Sequence, residues 1–227
     1  MKTITVCNQK GGSGKTTTAV LLCLGIARQD KKVLLIDTDP QGGATAYFKA
    51  ESDSGVYDVV MQDTPEPVKT ESGVFVLSAD YRLDKVFSSA DIYTFADVKD
   101  DYKQFDYIVF DTPPTLQGIT KSCLFISDYI ITPTDISRGS IKPVQYTVDE
   151  IKRMKKKTNV FFIGYKENAK GFLKTVQDEF ITAIGKPSGA IVKNINVLKI
   201  ASGEKMTPAK EKLLTEFTNE ILKGGKL

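Results

Sequence analysis

Residues 3–17 read Thr-Ile-Thr-Val-Cys-Asn-Gln-Lys-Gly-Gly-Ser-Gly-Lys-Thr-Thr, a β-prone run over 3–8 that stops at a glycine-rich turn. Over 16–28 the pattern becomes a helix with an apolar face at Val20, Leu21, Leu24 and Ala27. Strand, glycine loop and helix in that order make an anion cradle. Gly11, Gly12 and Gly14 let the backbone turn its amides inward, and the helix start near Lys15 adds the positive end of its dipole. In the G-x-x-x-x-G-K-[ST] pattern the lysine reaches the β- and γ-phosphates and the hydroxyl binds Mg²⁺, roles that fall on Lys15 and Thr16. The sequence departs from that pattern at its first glycine, which is Gln9, and a second lysine, Lys10, opens the loop.

Outward from this loop, short apolar runs recur at 33–36, 74–77, 107–110, 129–131 and 160–163, with helical patterns mostly between them. Consecutive apolar positions suit strands buried on both faces. The alternation predicts an α/β fold, a doubly wound, mostly parallel sheet with helices on both faces and ligand loops at the carboxyl ends of its strands. The stretch 63–73 reads as a surface connection. A last helix over 208–222 puts Leu213, Leu214, Phe217 and Ile221 on one side, a stripe expected to pack on the sheet. A length of 227 residues suits a single domain over 1–227.

The composition excludes several chemistries. With no histidine in the chain, a Ser-His-Asp triad, a histidine acid or base and the usual zinc hydrolase sites are ruled out. Cys7, Cys23 and Cys123 lack the paired spacing of a metal or redox site and read as buried free thiols. The apolar stretches are too short to cross a bilayer and no leader pattern precedes the first strand, so a cytoplasmic protein with no membrane partner is expected. A formal net charge of +3 says little about partners until its distribution is known.

Two further segments carry acids at strand ends. Asp37 and Asp39 close the second apolar run in Asp-Thr-Asp-Pro-Gln-Gly over 37–42, and Asp111 closes Tyr-Ile-Val-Phe-Asp-Thr-Pro-Pro over 107–114. Phosphoryl transfer needs placement and charge neutralisation more than a strong base, so ordinary carboxylates suffice.

Lys-Gly-Gly-Ser-Gly-Lys-Thr-Thr over 10–17, directly after the first strand, resembles the deviant Walker A box of the ParA and MinD superfamily of P-loop ATPases. The 37–42 string resembles that family's switch I box, and the strand ending in Asp111 its Walker B position. Pro113, Pro114 and Gly118 resemble switch II, and the likeness reaches at least residue 145. It implies ATP and Mg²⁺ as cofactors, with ATP contacts from Lys10, Gly11, Gly12, Ser13, Gly14, Lys15, Thr16, Thr17 and, for the adenine, Asn168. It implies Mg²⁺ contacts, direct or through water, from Thr16, Asp37 and Asp111, and catalytic roles for Lys10, Lys15 and Asp39, the last orienting the attacking water. Lys10 would reach nucleotide bound to the other subunit, which implies a homodimer closing around two ATP molecules.

The same resemblance implies nonspecific DNA binding on the nucleoid by the ATP-bound dimer, with release when a ParB-like or adaptor partner stimulates slow hydrolysis. Lys193, Lys199, Lys205, Lys210 and Lys212 are the candidate DNA contacts; the run over 152–157 reads first as a solvated helix end. Residues 192–205 resemble the family's final strand and loop, with Lys193-Asn194 in place of its usual Pro-Arg pair. Two other readings stay open. A MinD-like membrane-cycling ATPase would need a longer apolar face than the tail over 220–227 offers. A relative of the nitrogenase iron protein would need a partner for Cys123.

Overall fold

Five parallel strands form the middle of the sheet in the computed structural model, which describes residues 1–87, 90–166, 168–191, 200 and 205–224. They are β1 (Lys2–Val6), β2 (Val33–Asp37), β5 (Tyr107–Asp111), β6 (Tyr129–Asp135) and β7 (Asn159–Ile163). With β3 (Val68–Lys69), β4 (Phe75–Leu77) and β8 (Gly189–Ile191), the order across the sheet is β3-β4-β2-β5-β1-β6-β7-β8. Only the β3–β4 pair is antiparallel. The mostly parallel, doubly wound sheet expected from the sequence is therefore present.

Alternate residues of each strand serve opposite faces. Val33 and Leu35 of β2 join a core with Ile4, Val6 and Val109, whereas Leu34 and Ile36 join another with Ile108 and Phe110. The first face is covered by α1 (Lys15–Ala27), α2 (Gly43–Phe48) and α9 (Pro208–Gly224). The second is covered by α3 (Val56–Val60), α4 (Leu83–Val86), α5 (Val98–Asp101) and α6 (Ile119–Ile126), and farther along by α7 (Arg138–Arg153) and α8 (Gly171–Ile184). The α1 helix is buried from Thr18 to Ile26, more than its expected apolar face, because it is covered by α9 as well as by the sheet. Leu214, Phe217 and Ile221 of α9 are buried in the same core as β1, as their spacing predicts.

Sequence and structure differ at three places. The stretch read as a surface connection contains β3, whose Val68 and Lys69 pair with Val76 and Phe75 and close the sheet edge. The β6 strand runs on to Asp135, four residues past its apolar start, because Thr132, Pro133 and Thr134 are also buried between β1 and β7. The β8 strand follows Lys186-Pro187 in a segment too short and polar to stand out by periodicity. Of the final strand expected over 192–205, only Ile200 and Lys205 fall among the described residues.

Candidate phosphate and cation site

Because β1, β2 and β5 are parallel and in register, their last residues end level. Val6 pairs with Asp111, and Asp111 pairs with Asp37. The glycine loop leaves β1 at this carboxyl edge. Gly12 (φ 69°) and Gly14 (φ 85°) take left-handed backbone conformations that side chains rarely adopt. A Cβ on Gly14 would stand 2.8 Å from Cδ1 of Ile163, so β7 closes over the loop at the one place where no side chain fits. Asn8 ties the turn down at both ends: its Nδ2 donates to the Pro133 carbonyl at 2.9 Å and its Oδ1 accepts from the Lys10 amide at 3.0 Å. The Ser13 hydroxyl is buried without a hydrogen-bond partner.

Lys15 points inward from the first turn of α1 and is only 7% exposed. Burial lowers its pKa, while Asp111 and Asp39 pull it back up. Its Nζ lies 3.4 Å from the Lys10 carbonyl, a long contact that leaves the ammonium largely uncompensated. Thr16 and Thr17 follow, half-buried.

The two acids opposite are held differently. Asp37 accepts the backbone amide and hydroxyl of Thr45 at 2.8 Å each, and the Asp39 amide at 3.2 Å. Burial still pushes its carboxyl up to about 6, against those hydrogen bonds. Asp111 is fully buried and neither of its oxygens has a hydrogen-bond partner. Burial drives its pKa well above the usual carboxylate range, and Asp37 and Asp39 add repulsion. Thr16 and Lys15 draw it down, Thr16 by nearness and without the geometry of a hydrogen bond.

A buried carboxylate with both oxygens orphaned is expensive unless a cation meets it. Asp111 beside Lys15, Thr16 and an amide-lined turn fits a hard cation carried on a phosphate chain. Among the described residues no three His, Cys, Asp or Glu side chains cluster to hold a metal by themselves. Asp39 is half-buried at the mouth, where its carboxylate accepts the Gln41 amide at 3.0 Å.

Lys10 does not extend into solvent. Its Nζ folds back on α7 and the end of β6, donating to Asp135 at 2.8 Å and Ser140 at 2.6 Å, with Ser137 at 3.5 Å. Burial raises the Asp135 pKa, and hydrogen bonds from Lys10, Ser140 and Ser137 outweigh it and hold the carboxyl below its ordinary value. Asp135, Ser140, Thr45 and Asn8 were not singled out in the sequence. Asp135 at a strand end is the one that strand periodicity could have flagged.

Asn168 sits exposed in the loop after β7. Lys193 and Lys199 lie outside the described residues, and Lys205 and Lys212 are exposed. Lys210 corrects the sequence reading: it is 8% exposed and turns its Nζ to the Lys205 carbonyl at 3.0 Å, so its ammonium is not offered at the surface. All three cysteines are free and buried, and burial pushes the Cys7 thiol up to about 12. No helix among the described residues is long and apolar enough to cross a membrane.

Comparison with known proteins follows the same outline. The family described as AAA domain matches residues 1–163. The sporulation initiation inhibitor protein Soj of Bacillus subtilis is 30% identical over 175 residues, spanning 70% of this chain and 68% of its own. Among solved structures, McdA from Cyanothece superposes with a TM-score of 0.81 at 19% identity, over 100% of this chain and 98% of that one. A putative plasmid partition protein from Borrelia burgdorferi bound to AMPPNP gives 0.80 at 22% identity, over 98% of both.

Proposed function

The chain belongs to the ParA family of P-loop ATPases, and from that premise we propose that it is a partition-type ATPase that binds ATP with Mg²⁺, pairs with a second copy around the nucleotide and hydrolyses it slowly. Asp111 carries the reading. A buried acid with two orphaned oxygens, set level with Asp37 at the foot of a glycine cradle, makes chemical sense when a divalent cation shares the space.

Each residue has a role that its position supports. The amides of residues 11–16 and the Lys15 ammonium hold the phosphates, and the Thr16 hydroxyl and the two buried acids set the metal and its waters. Magnesium bound there draws charge from the phosphate oxygens. Asp39 at the mouth orients the attacking water. Asn168 is the proposed adenine contact, in the loop after β7. Lys10, released from Asp135, stabilises charge on nucleotide held by the second copy, which makes the dimer prefer ATP over ADP.

We extend the proposal to the cellular cycle of the family. The ATP-bound dimer binds DNA without sequence preference on the nucleoid, in the cytoplasm and without a membrane anchor. A ParB-like or adaptor protein stimulates hydrolysis and releases it, so that a plasmid, chromosome or other cargo is segregated or positioned. A single domain over 1–227 performs all of it. The test is gel filtration of the purified protein with ATP, ADP or no nucleotide. A dimer should form with ATP alone; Lys15→Ala should lose nucleotide, while Lys10→Gln should bind ATP and stay monomeric. Equal loss of ATP binding in both variants would remove the cross-subunit role.

A further inference from the structure

The parallel sheet has a second end. Segments that lead into the five central strands all reach its amino-terminal edge, opposite the glycine loop and about 16 Å from it for strands of five residues. Hydrogen bonds join them in a row. The Lys32 amide donates to the Asp106 carboxylate at 2.9 Å, and the Asp106 amide returns to the Lys32 carbonyl at 2.8 Å. The Lys2 amide donates to the Asp106 carbonyl at 2.8 Å, and the Asp128 amide to the Thr3 carbonyl at 3.0 Å. Lys156 completes the row by donating its Nζ to the Ser127 carbonyl at 2.9 Å.

This edge is lined by cations. Lys2, Lys31, Lys32, Lys103, Lys155 and Lys157 are all exposed on it. Lys99 and Lys156 crowd the single carboxylate of Asp128: Lys99 pairs with it at 3.0 Å, and Lys156 is held below its ordinary pKa by burial and by the charge of Lys99. The acids there are Asp30, Asp100, Asp101, Asp106 and Asp128. Two are already engaged, Asp106 by the Lys32 amide and Asp128 by Lys99 and Thr3. Eight lysines against five acids amount to the whole formal net charge of +3, so the rest of the chain sums to neutral.

Stabilising helix dipoles does not account for the row. That effect fades within the last turn of a helix, and Lys31 and Lys32 lie beyond the end of α1 at Ala27. We propose that this edge is a docking surface for the phosphate backbone of double-stranded DNA. The inference rests on the DNA-binding part of the proposed function and relocates the contact from the C-terminal lysines to the far end of the sheet. Five strands spaced about 4.8 Å apart make a row about 19 Å long, the length of about six base pairs at 3.4 Å each. The cations are lysines, point charges without the planar fork that reads base edges, which suits contacts to phosphate and no sequence preference. Such a surface leaves the nucleotide face free for a second copy.

The test uses the full chain with Mg²⁺ and ATP, a random-sequence DNA duplex, and salt between about 50 and 200 mM. One variant is K31Q/K32Q/K155Q/K157Q. The control, K49Q/K69Q/K205Q/K212Q, removes equal charge from other surfaces. The edge variant should keep ATP binding and dimerisation, bind DNA about tenfold or more weakly, and show a salt slope lower by about 3, near 0.9 per lost phosphate contact. The control should bind DNA as the parent does. Loss of binding in the control with none in the edge variant overturns the inference and leaves DNA binding standing. A parent that binds no DNA in any nucleotide state overturns both. Loss of binding to anionic phospholipid vesicles with DNA binding intact assigns the edge to a membrane and also overturns the inference.

Discussion

Replacing Asp37 by asparagine isolates the energetic conflict built into the site. In the folded chain burial pushes the Asp37 carboxyl up to about 6 from an ordinary value of 3.8. A rise of that size corresponds to about 3 kcal/mol of differential stability. The sign follows from the raised value: this carboxyl's contribution is fully present below about pH 4 and is lost as pH rises through 6. At pH 8 the nucleotide-free protein therefore carries a penalty of about 3 kcal/mol at this residue.

Asparagine removes that penalty. Its amide oxygen can still accept the amide and hydroxyl of Thr45, which both reach the same carboxylate oxygen at 2.8 Å. Its NH₂ faces the Asp39 amide, donor against donor, at a cost of about 1 kcal/mol. The net gain of about 2 kcal/mol should raise Tm at pH 8 by about 4–8 °C without nucleotide, and by little or nothing at pH 4. Saturating Mg²⁺ and ATP should reverse the ranking, because the parent gains a paired acid and the variant does not. Thermal denaturation at pH 4, 6 and 8, with and without Mg-ATP, reads all of this. An Asp37→Asn protein less stable than the parent at pH 8 without nucleotide, or one that keeps the full Mg-ATP shift, would refute the assignment of Asp37 to the metal site.

Asp39→Ala should trap an ATP-bound dimer that turns over at least tenfold more slowly, seen as a persistent dimer on gel filtration with low phosphate release; normal turnover would move the water-orienting role elsewhere. Gly118→Ala should be among the most destabilising single changes at the site's edge. Its backbone lies at φ 50° and ψ −126°, and an added Cβ would overlap the Phe87 carbonyl. A loss of several kcal/mol, read as a fall in Tm of about 5 °C or more, is expected, and a protein of unchanged Tm would show that this turn relaxes freely.

The glycine cradle, the strand-end acids and the alternation of elements were legible because each rests on local chemistry. A turn that must bare its amides requires glycine, and a strand covered on both faces must be apolar at every position. What stayed hidden depends on partners distant in sequence. Lys10 reads as a loop cation until the fold brings Asp135 and Ser140, 125 and 130 positions away, to 2.8 and 2.6 Å of its Nζ. Lys210 reads as a surface cation until α9 docks and covers it. The β3 strand is two residues long, too short for any period, and exists because β4 offers an edge.

The position of Lys10 bears directly on how a dimer could form. Its ion pair with Asp135 is partly exposed, with side chains 30% and 40% accessible, and pairs of that kind contribute about 1 kcal/mol or less. A hydrogen bond from an ammonium to a well-desolvated phosphate is worth about 1.5–3 kcal/mol. Exchange of one for the other is therefore favourable by a small margin once a second copy presents its triphosphate, and unfavourable when it presents a shorter chain that Lys10 cannot reach. The internal pair keeps the loop in one conformation in the single chain, and its weakness lets nucleotide state decide whether the lysine stays at home.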